Sequence, residues 1–303
     1  MTPLVSVVIT TFNHALYIAE AIEGAINQCT NFDFEVVIGE DCSTDTTLSI
    51  CNHYQAMYPE KVRVLAHAQN IGMRRNYRES IAACKGKYIA ICDGDDYFSD
   101  KNKLQMQVDA LVAGNFDMCY TRSERKSVEK SEVYPAGALH TTLESMLILN
   151  TAENCTVMAR KEDIEQYYNQ VDPLSKAWKT DDLPMWLWFS AQKRICTIDR
   201  VTAVHRILYK SVSHNTDYKK RLEFCDSLSD IMVWFDTNYN SSKLHKFLLK
   251  RKQNTALWTL SYNGSVSDFI CRWWRDCSIT PSLFANIASY GLFLKKILYR
   301  MWI

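Results

Sequence analysis

Four short apolar runs, at residues 5–10, 34–38, 62–65 and 88–92, are each followed by a stretch that suits a helix, and this alternation restricts the folds open to the chain. The first run is β-branched and the segment after it, residues 15–28, sets Ile18, Ala19, Ile22, Ala25 and Ile26 at helical spacing. The second run leads to a predicted helix over 45–58, begun by Ser43 or Asp45. A third helix is expected over 76–84, and Leu104, Val108, Leu111 and Val112 mark a fourth. Four β/α repeats in about a hundred residues predict an α/β fold: a Rossmann-like, mostly parallel sheet with helices on both faces. In such sheets ligands bind beyond the carboxyl ends of the strands. Asp41 and the cluster Asp93-Gly94-Asp95-Asp96 both stand at such ends, so two acidic sites are expected to share one crevice.

That cluster carries the chemistry. Asp93 and Asp95 lie at i and i+2, on one face of an extended chain, and Gly94 between them has no side chain to keep a phosphate from the backbone. Hard oxygen ligands suit Mg²⁺ or Mn²⁺, in sites that keep positions for waters and substrate phosphates. A nucleotide diphosphate is the guest such a site accommodates. The same residues also suit a plain turn between strand and helix.

Later segments are less periodic. Strands are expected at 118–121 and 156–159, and a helix at 143–149. Residues 166–188, rich in Trp, Tyr, Asp and Pro, read as a substrate-facing surface. Beyond residue 215 the chain reads as helical: Leu222, Leu228, Ile231 and Phe235 suggest one helix, and Leu244, Phe247, Leu248 and Leu257 another. The expected division is an α/β domain over 1–215 and a helical C-terminal region over 216–303.

Composition excludes several classes. With 35 basic and 34 acidic residues the net charge is +1, and no Lys/Arg block forms a nucleic-acid arm. The eleven cysteines form no C-x-x-C pair, which fits buried reduced thiols and a cytoplasmic location. Neither a signal peptide nor a membrane-spanning run is read in the sequence. Absence of G-x-G-x-x-G and of a Walker A loop argues against dinucleotide dehydrogenases and P-loop kinases.

Taken in order, VSVVITTFN at 5–13, FEVVIGEDCSTDTT at 34–47, NIGMRRN at 70–76, KGKYI at 85–89 and the Asp93-Gly94-Asp95 triplet resemble the inverting family-2 glycosyltransferases, which have the GT-A fold. Glu40 and Cys42 stand where that pattern carries Asp and Gly. The resemblance implies a UDP-sugar donor held by Thr11, Asn13, Asp41, Asn76, Asp93, Gly94 and Arg206. Asp95 would be the direct ligand of Mn²⁺ or Mg²⁺, with Asp93 beside it. Asp96 is either part of the site or a solvated acid before the next helix.

TDDLPMW at 180–186 resembles the family's E-D motif, implying Asp182 as general base and Asp181 and Trp186 as acceptor contacts. These two acids could equally just begin a helix. VHRILYKSVSH at 204–214 is similar to the closing Y-R-x-H-x-x-S-x-S segment, with His205 in place of Tyr. Its Arg206, Lys210 and His214 could fold over the diphosphate, or end a strand with solvated bases. Residues 269–303 interleave Trp and Tyr with Arg and Lys, as a helix lying in a bilayer interface would, although one packed on the catalytic domain would look the same. The function these motifs imply is metal-dependent, inverting hexose transfer from a UDP-sugar to a glycan or polyprenyl-diphosphate-linked sugar in surface polysaccharide assembly. The competing reading is a non-catalytic nucleotide-sugar-binding scaffold.

Overall fold

In the computed structural model, residues 2–128, 132–150, 152–208, 217–280 and 291–292 are described. The chain runs β1 (Val5–Thr11), α1 (Ile18–Ile26), β2 (Phe34–Glu40), α2 (Thr47–Met57), β3 (Val62–Ala66), α3 (Met73–Ala83), β4 (Tyr88–Asp93), β5 (Tyr97–Phe98) and α4 (Lys103–Ala113). It continues with β6 (Met118–Ser127), β7 (Glu132–Ala136), α5 (Leu143–Ile148), β8 (Val157–Arg160), α6 (Lys161–Val171), α7 (Asp182–Gln192), β9 (Ile195–Ile207), α8 (Tyr218–Tyr239), α9 (His245–Asn263) and α10 (Val266–Ile279). Two compact units result: Met1–Lys176 with Met185–Ile207, and Ala177–Pro184 with Leu208–Ile303.

The first unit is a mixed α/β structure on one sheet of order β3-β2-β1-β4-β8-β6-β9-β5, with β7 on β6. Strands β1 to β4 pair in parallel, as the repeats predict. Every residue of β1 and β2 is buried, which is what helices on both faces require and why these strands read as continuous apolar runs. β8 enters antiparallel between β4 and β6. β6 runs beyond its expected 118–121 and pairs in parallel with β9 through an irregularity at Thr121–Ser123.

Two expectations need correction. Residues 166–188 are not an open surface: they contribute to α6 and α7, and Tyr167, Tyr168, Trp178, Trp186 and Trp188 are all buried. Within the first unit the rings of Tyr167 and Trp188 lie 5.9 Å apart and those of Trp188 and Phe189 5.3 Å apart, edge to face for the latter. Aromatic content marked a core here: on α6 the rings of Tyr167 and Tyr168 turn inward while Gln166, Asn169 and Gln170 are exposed.

The second concerns Arg272 alone within residues 269–303, most of which lie outside the described residues. In the described part, α10 opens on a capping box between Ser265 and Asp268. Arg272, expected among the lipid-facing bases, is buried in a fork-to-carboxylate pair with Asp226 at 2.6 Å, and Asp276 accepts its Nε–H. The second unit has its own small core of Leu257, Leu260 and Phe269. Trp178 of that unit packs 5.5 Å from Trp234, and the Lys179 amide donates to Ser227 Oγ on α8. No helix among the described residues is long and apolar enough to cross a membrane.

Lys103, at the start of α4, is wholly buried, with its ammonium donating to Gln107 Oε1 at 2.6 Å and lying 4.3 Å above the Phe98 ring. Burial lowers its pKa to about 8 from an ordinary 10.5. Below about 8 both folded and unfolded chains carry the proton; between these two values only the unfolded chain does, so stability rises with pH across that window. Lys103→Met removes this linkage. Urea unfolding at pH 7 and pH 10 is expected to show the parent gaining on the variant by ~3 kcal/mol; parallel pH dependences would overturn the assignment.

Candidate active site

Register gathers the site. Val5–Thr11 pairs residue for residue with Phe34–Glu40, and Val5–Thr10 with Tyr88–Asp93, so Thr11 stands opposite Glu40 and Thr10 opposite Asp93. The carboxyl ends of β1, β2 and β4 therefore finish together, and the loops that follow meet.

Those loops are laced by side chains. The Asn13 and His14 amides donate to Ser43 Oγ and Thr47 Oγ1, both at 2.9 Å, and that of Ala15 to Asp45 Oδ2 at 3.2 Å. Asn13 returns the contact by accepting from the Thr44 amide at 2.8 Å. Asn13 and Cys42 both adopt left-handed backbone, at φ 56° and 59°. Asn tolerates that region; Cys42 occupies it where the resembled pattern carries Gly. Glu40, wholly buried, accepts the Ser43 amide at 2.8 Å.

Asp41 is buried and already engaged: its two carboxylate oxygens accept the amides of Ile71 at 2.7 Å and Gly72 at 3.0 Å. Asn76 is equally committed, donating to the Gly39 carbonyl at 2.9 Å and facing His67 Nε2 at 3.1 Å. A Cβ on Gly39 would strike Asn76 and Ser80, so the glycine lets α3 approach β2. Both residues brace the crevice by holding the 70–76 segment against β2.

In the acidic turn, Asp93 Oδ1 accepts from Thr10 Oγ1 at 3.1 Å and Oδ2 from Asn154 Nδ2 at 3.0 Å. Asp95 is half-buried, and its carboxylate makes no hydrogen bond or ion pair with the described residues. One fixed carboxylate and one uncommitted neighbour fit a hard divalent cation such as Mn²⁺ or Mg²⁺. Nearby, the buried hydroxyl of Thr11 and Nδ1 of His14 have no hydrogen-bond partner among the described residues.

Asp96 is not a solvated acid. It is 2% exposed, accepts the Arg206 amide at 2.8 Å, and lies 3.6 Å from His205 Nδ1. Burial pushes its pKa well above the carboxylate range, against the opposing pull of His205. Asp96 in turn holds the His205 pKa above its ordinary value, despite the larger contrary effect of burial.

Arg206 is in β9, not on a free loop. Its guanidinium donates to the Asp95 carbonyl at 2.6 Å, pairs with Glu20, and lies 5.2 and 4.6 Å from the rings of Tyr17 and Tyr97. The other expected bases of that segment, Lys210 and His214, lie outside the described residues.

Asp181 and Asp182 belong to the second unit. Asp182 opens α7, with Oδ1 accepting the Leu183 amide at 2.6 Å and the Thr180 hydroxyl; Asp181 is buried. Trp186, in the first unit, has no exposed surface, so it lies in the core rather than on an acceptor-facing wall. Thr10, His14, Glu20 and Asn154 were missed by the sequence reading. Thr10 carried a faint signal at the end of the first apolar run; Asn154, 61 positions from Asp93, carried none.

Gly94 also has a packing role. A Cβ there would lie 2.6 Å from Thr11 Oγ1 and 2.8 Å from His14 Nδ1, so its bare Cα seats the acidic turn on the β1 loop. Gly94→Ala should destabilise the protein by about 1–3 kcal/mol through overpacking. An unchanged urea midpoint would refute this tight seating.

Comparison with known proteins agrees with this geometry. An uncharacterized protein of Mycobacterium tuberculosis is 42% identical over 106 residues, 35% of this chain and 31% of that protein. The chain thus matches about a third of the length of such relatives. TuaG of Bacillus subtilis, whose name assigns it to teichuronic acid biosynthesis as a glycosyltransferase, is 26% identical over 221 residues, covering 70% of this chain and 82% of that protein. Staphylococcus aureus TarS, residues 1–349 with UDP-GlcNAc, superposes with a TM-score of 0.60 at 19% identity, over 98% of this chain and 91% of that one. The mannosyltransferase PcManGT of Pyrobaculum calidifontis, with GDP-Man and Mn²⁺, gives 0.59 at 14% identity, over 100% and 88%. These likenesses establish a GT-A-like fold. A sequence profile described as Glycosyl transferase family 2 matches residues 6–161, just over half of the 303-residue chain, and the chain belongs to that family.

Proposed function

We propose that this protein transfers a hexose from a UDP-sugar to a glycan or a sugar on polyprenyl diphosphate, inverting the anomeric carbon, in the assembly of a surface polysaccharide. The observation that carries the reading is the acidic turn at the shared strand ends, where Asp93 is pinned and the Asp95 carboxylate is uncommitted. Family membership supports it, as do a relative named for teichuronic acid biosynthesis and fold neighbours solved with UDP-GlcNAc and with GDP-Man and Mn²⁺. Asp95 and Asp93 would hold Mn²⁺ or Mg²⁺, which supplies charge neutralisation on the departing nucleotide. The loops carrying Thr11, Asn13, Asp41 and Gly94 form the donor floor, with Asn76 and Arg206 bracing it.

In this reading Asp182 takes the acceptor hydroxyl proton, with Asp181 beside it at the acceptor end. The assignment rests on sequence resemblance. An inverting displacement needs a base opposite the leaving diphosphate. Because an alcohol is far less acidic than a carboxylic acid, the proton moves late, as the new glycosidic bond forms. Residues 1–215 form the transferase domain in this scheme. The C-terminal region, where Trp274 and Ile270 of α10 are exposed, rests on the inner face of the cytoplasmic membrane near its lipid-linked acceptor.

Calorimetric titration with UDP and other nucleotides, with and without Mn²⁺, tests the reading. Metal-dependent preference for UDP is expected, lost in Asp95→Ala and kept in Asp182→Ala, while both variants lose transfer by at least about a hundredfold. Full transfer by both variants would overturn the mechanism. Nucleotide binding without any transfer would favour the non-catalytic scaffold.

A further inference from the structure

Behind the acidic turn is a second set of ligand-type side chains that the proposed reaction does not use. Asp96, Cys155 and His205 come from three separate places: the turn after β4, the short turn before β8, and the end of β9. Their ligand atoms all lie within 4.8 Å of one another, with Asp96 Oδ2 3.6 Å from His205 Nδ1. The Arg206 amide fixes Asp96 through Oδ1 at 2.8 Å, leaving Oδ2 for the cluster. Cys155 is fully buried, and the His205 side chain, 36% exposed, gives the group one open side. Asp93, Asp95 and Glu153 add negative field around the three. His205 also stands where the resembled motif carries Tyr, so the set includes a departure particular to this chain.

From this we infer that Asp96, Cys155 and His205 form a second metal site, suited to a borderline-soft divalent ion such as Zn²⁺ and distinct from the all-oxygen Asp93/Asp95 site. Thiolate, imidazole and carboxylate together favour Zn²⁺ over Mg²⁺ or Mn²⁺, and three protein ligands leave the fourth tetrahedral position to water. Binding displaces the Cys155 thiol proton to solvent, and His205 binds as neutral imidazole. Every ligand is next in sequence to a residue of the acidic turn's framework: Asp96 to Asp95, Cys155 to Asn154, and His205 to Arg206. An ion here ties the residues holding Asp93 and the Asp95 backbone into one rigid unit, a structural role separate from nucleotide binding.

The test uses Co²⁺ as a spectroscopic substitute, titrated into the chelator-treated full chain without nucleotide. Wild-type protein should develop a near-ultraviolet thiolate-to-cobalt charge-transfer band with strong tetrahedral visible bands, and Zn²⁺ should abolish both at one equivalent. The bands should persist in Asp95→Ala and vanish in Cys155→Ser. His205→Asn should weaken cobalt affinity by at least about tenfold, and it carries the test if Cys155→Ser does not fold. Absence of a thiolate band in the wild type, or its persistence in folded Cys155→Ser, would overturn the proposal. Neither result depends on whether UDP binds, so failure here is distinct from failure of the transferase reading.

Discussion

The parallel register of β1 with β2 on one side and β4 on the other is the constraint on which the rest of the site depends. It sets Thr11 level with Glu40 and Thr10 level with Asp93, so three strands end in one line. A slip of one residue would turn every side chain of the slipped strand to the opposite face. With both faces of β1 and β2 buried, such a slip would need a repacked core on each side. The hydrophobic interior therefore fixes the position of the polar site at its edge.

Beyond the strand ends, the order of the loops comes from hydrogen bonds that employ many of the side chains resemblance assigns to the donor. Asn13 holds Thr44, Asp41 holds Ile71 and Gly72, and Asn76 holds Gly39. These residues shape the crevice through backbone contacts, which preorganises it without ligand. Asp95 is left uncommitted within this framework. Arg206 adds a long-range tie, joining the end of β9 to Asp95, Asp96 and Glu20. Its burial between two tyrosine rings makes it a brace for the acidic turn.

Buried charge is concentrated close to this edge. Asp96 and His205 support each other against the cost of burial, whereas burial makes the Lys103 ammonium easier to deprotonate and lowers its pKa to about 8. Removing either member of the first pair would leave a buried group without its compensating neighbour. Evenly balanced net charge conceals this local arrangement entirely.

The sequence by itself determined the alternation of strand and helix, the parallel first half of the sheet and the acidic turn at a strand end, because these follow from local periodicity and apolar runs. It also carried the family resemblance, in motifs that are contiguous along the chain. Tertiary structure alone decided the rest. Aromatic residues at 166–188 looked like an open surface until α6 and α7 buried them, since composition does not say which helix face meets a neighbour. The partnerships of Asp93 with Asn154, and of Asp96 with His205 and Arg206, span 61 to 110 positions, and no local pattern encodes a contact made only when distant strands pair.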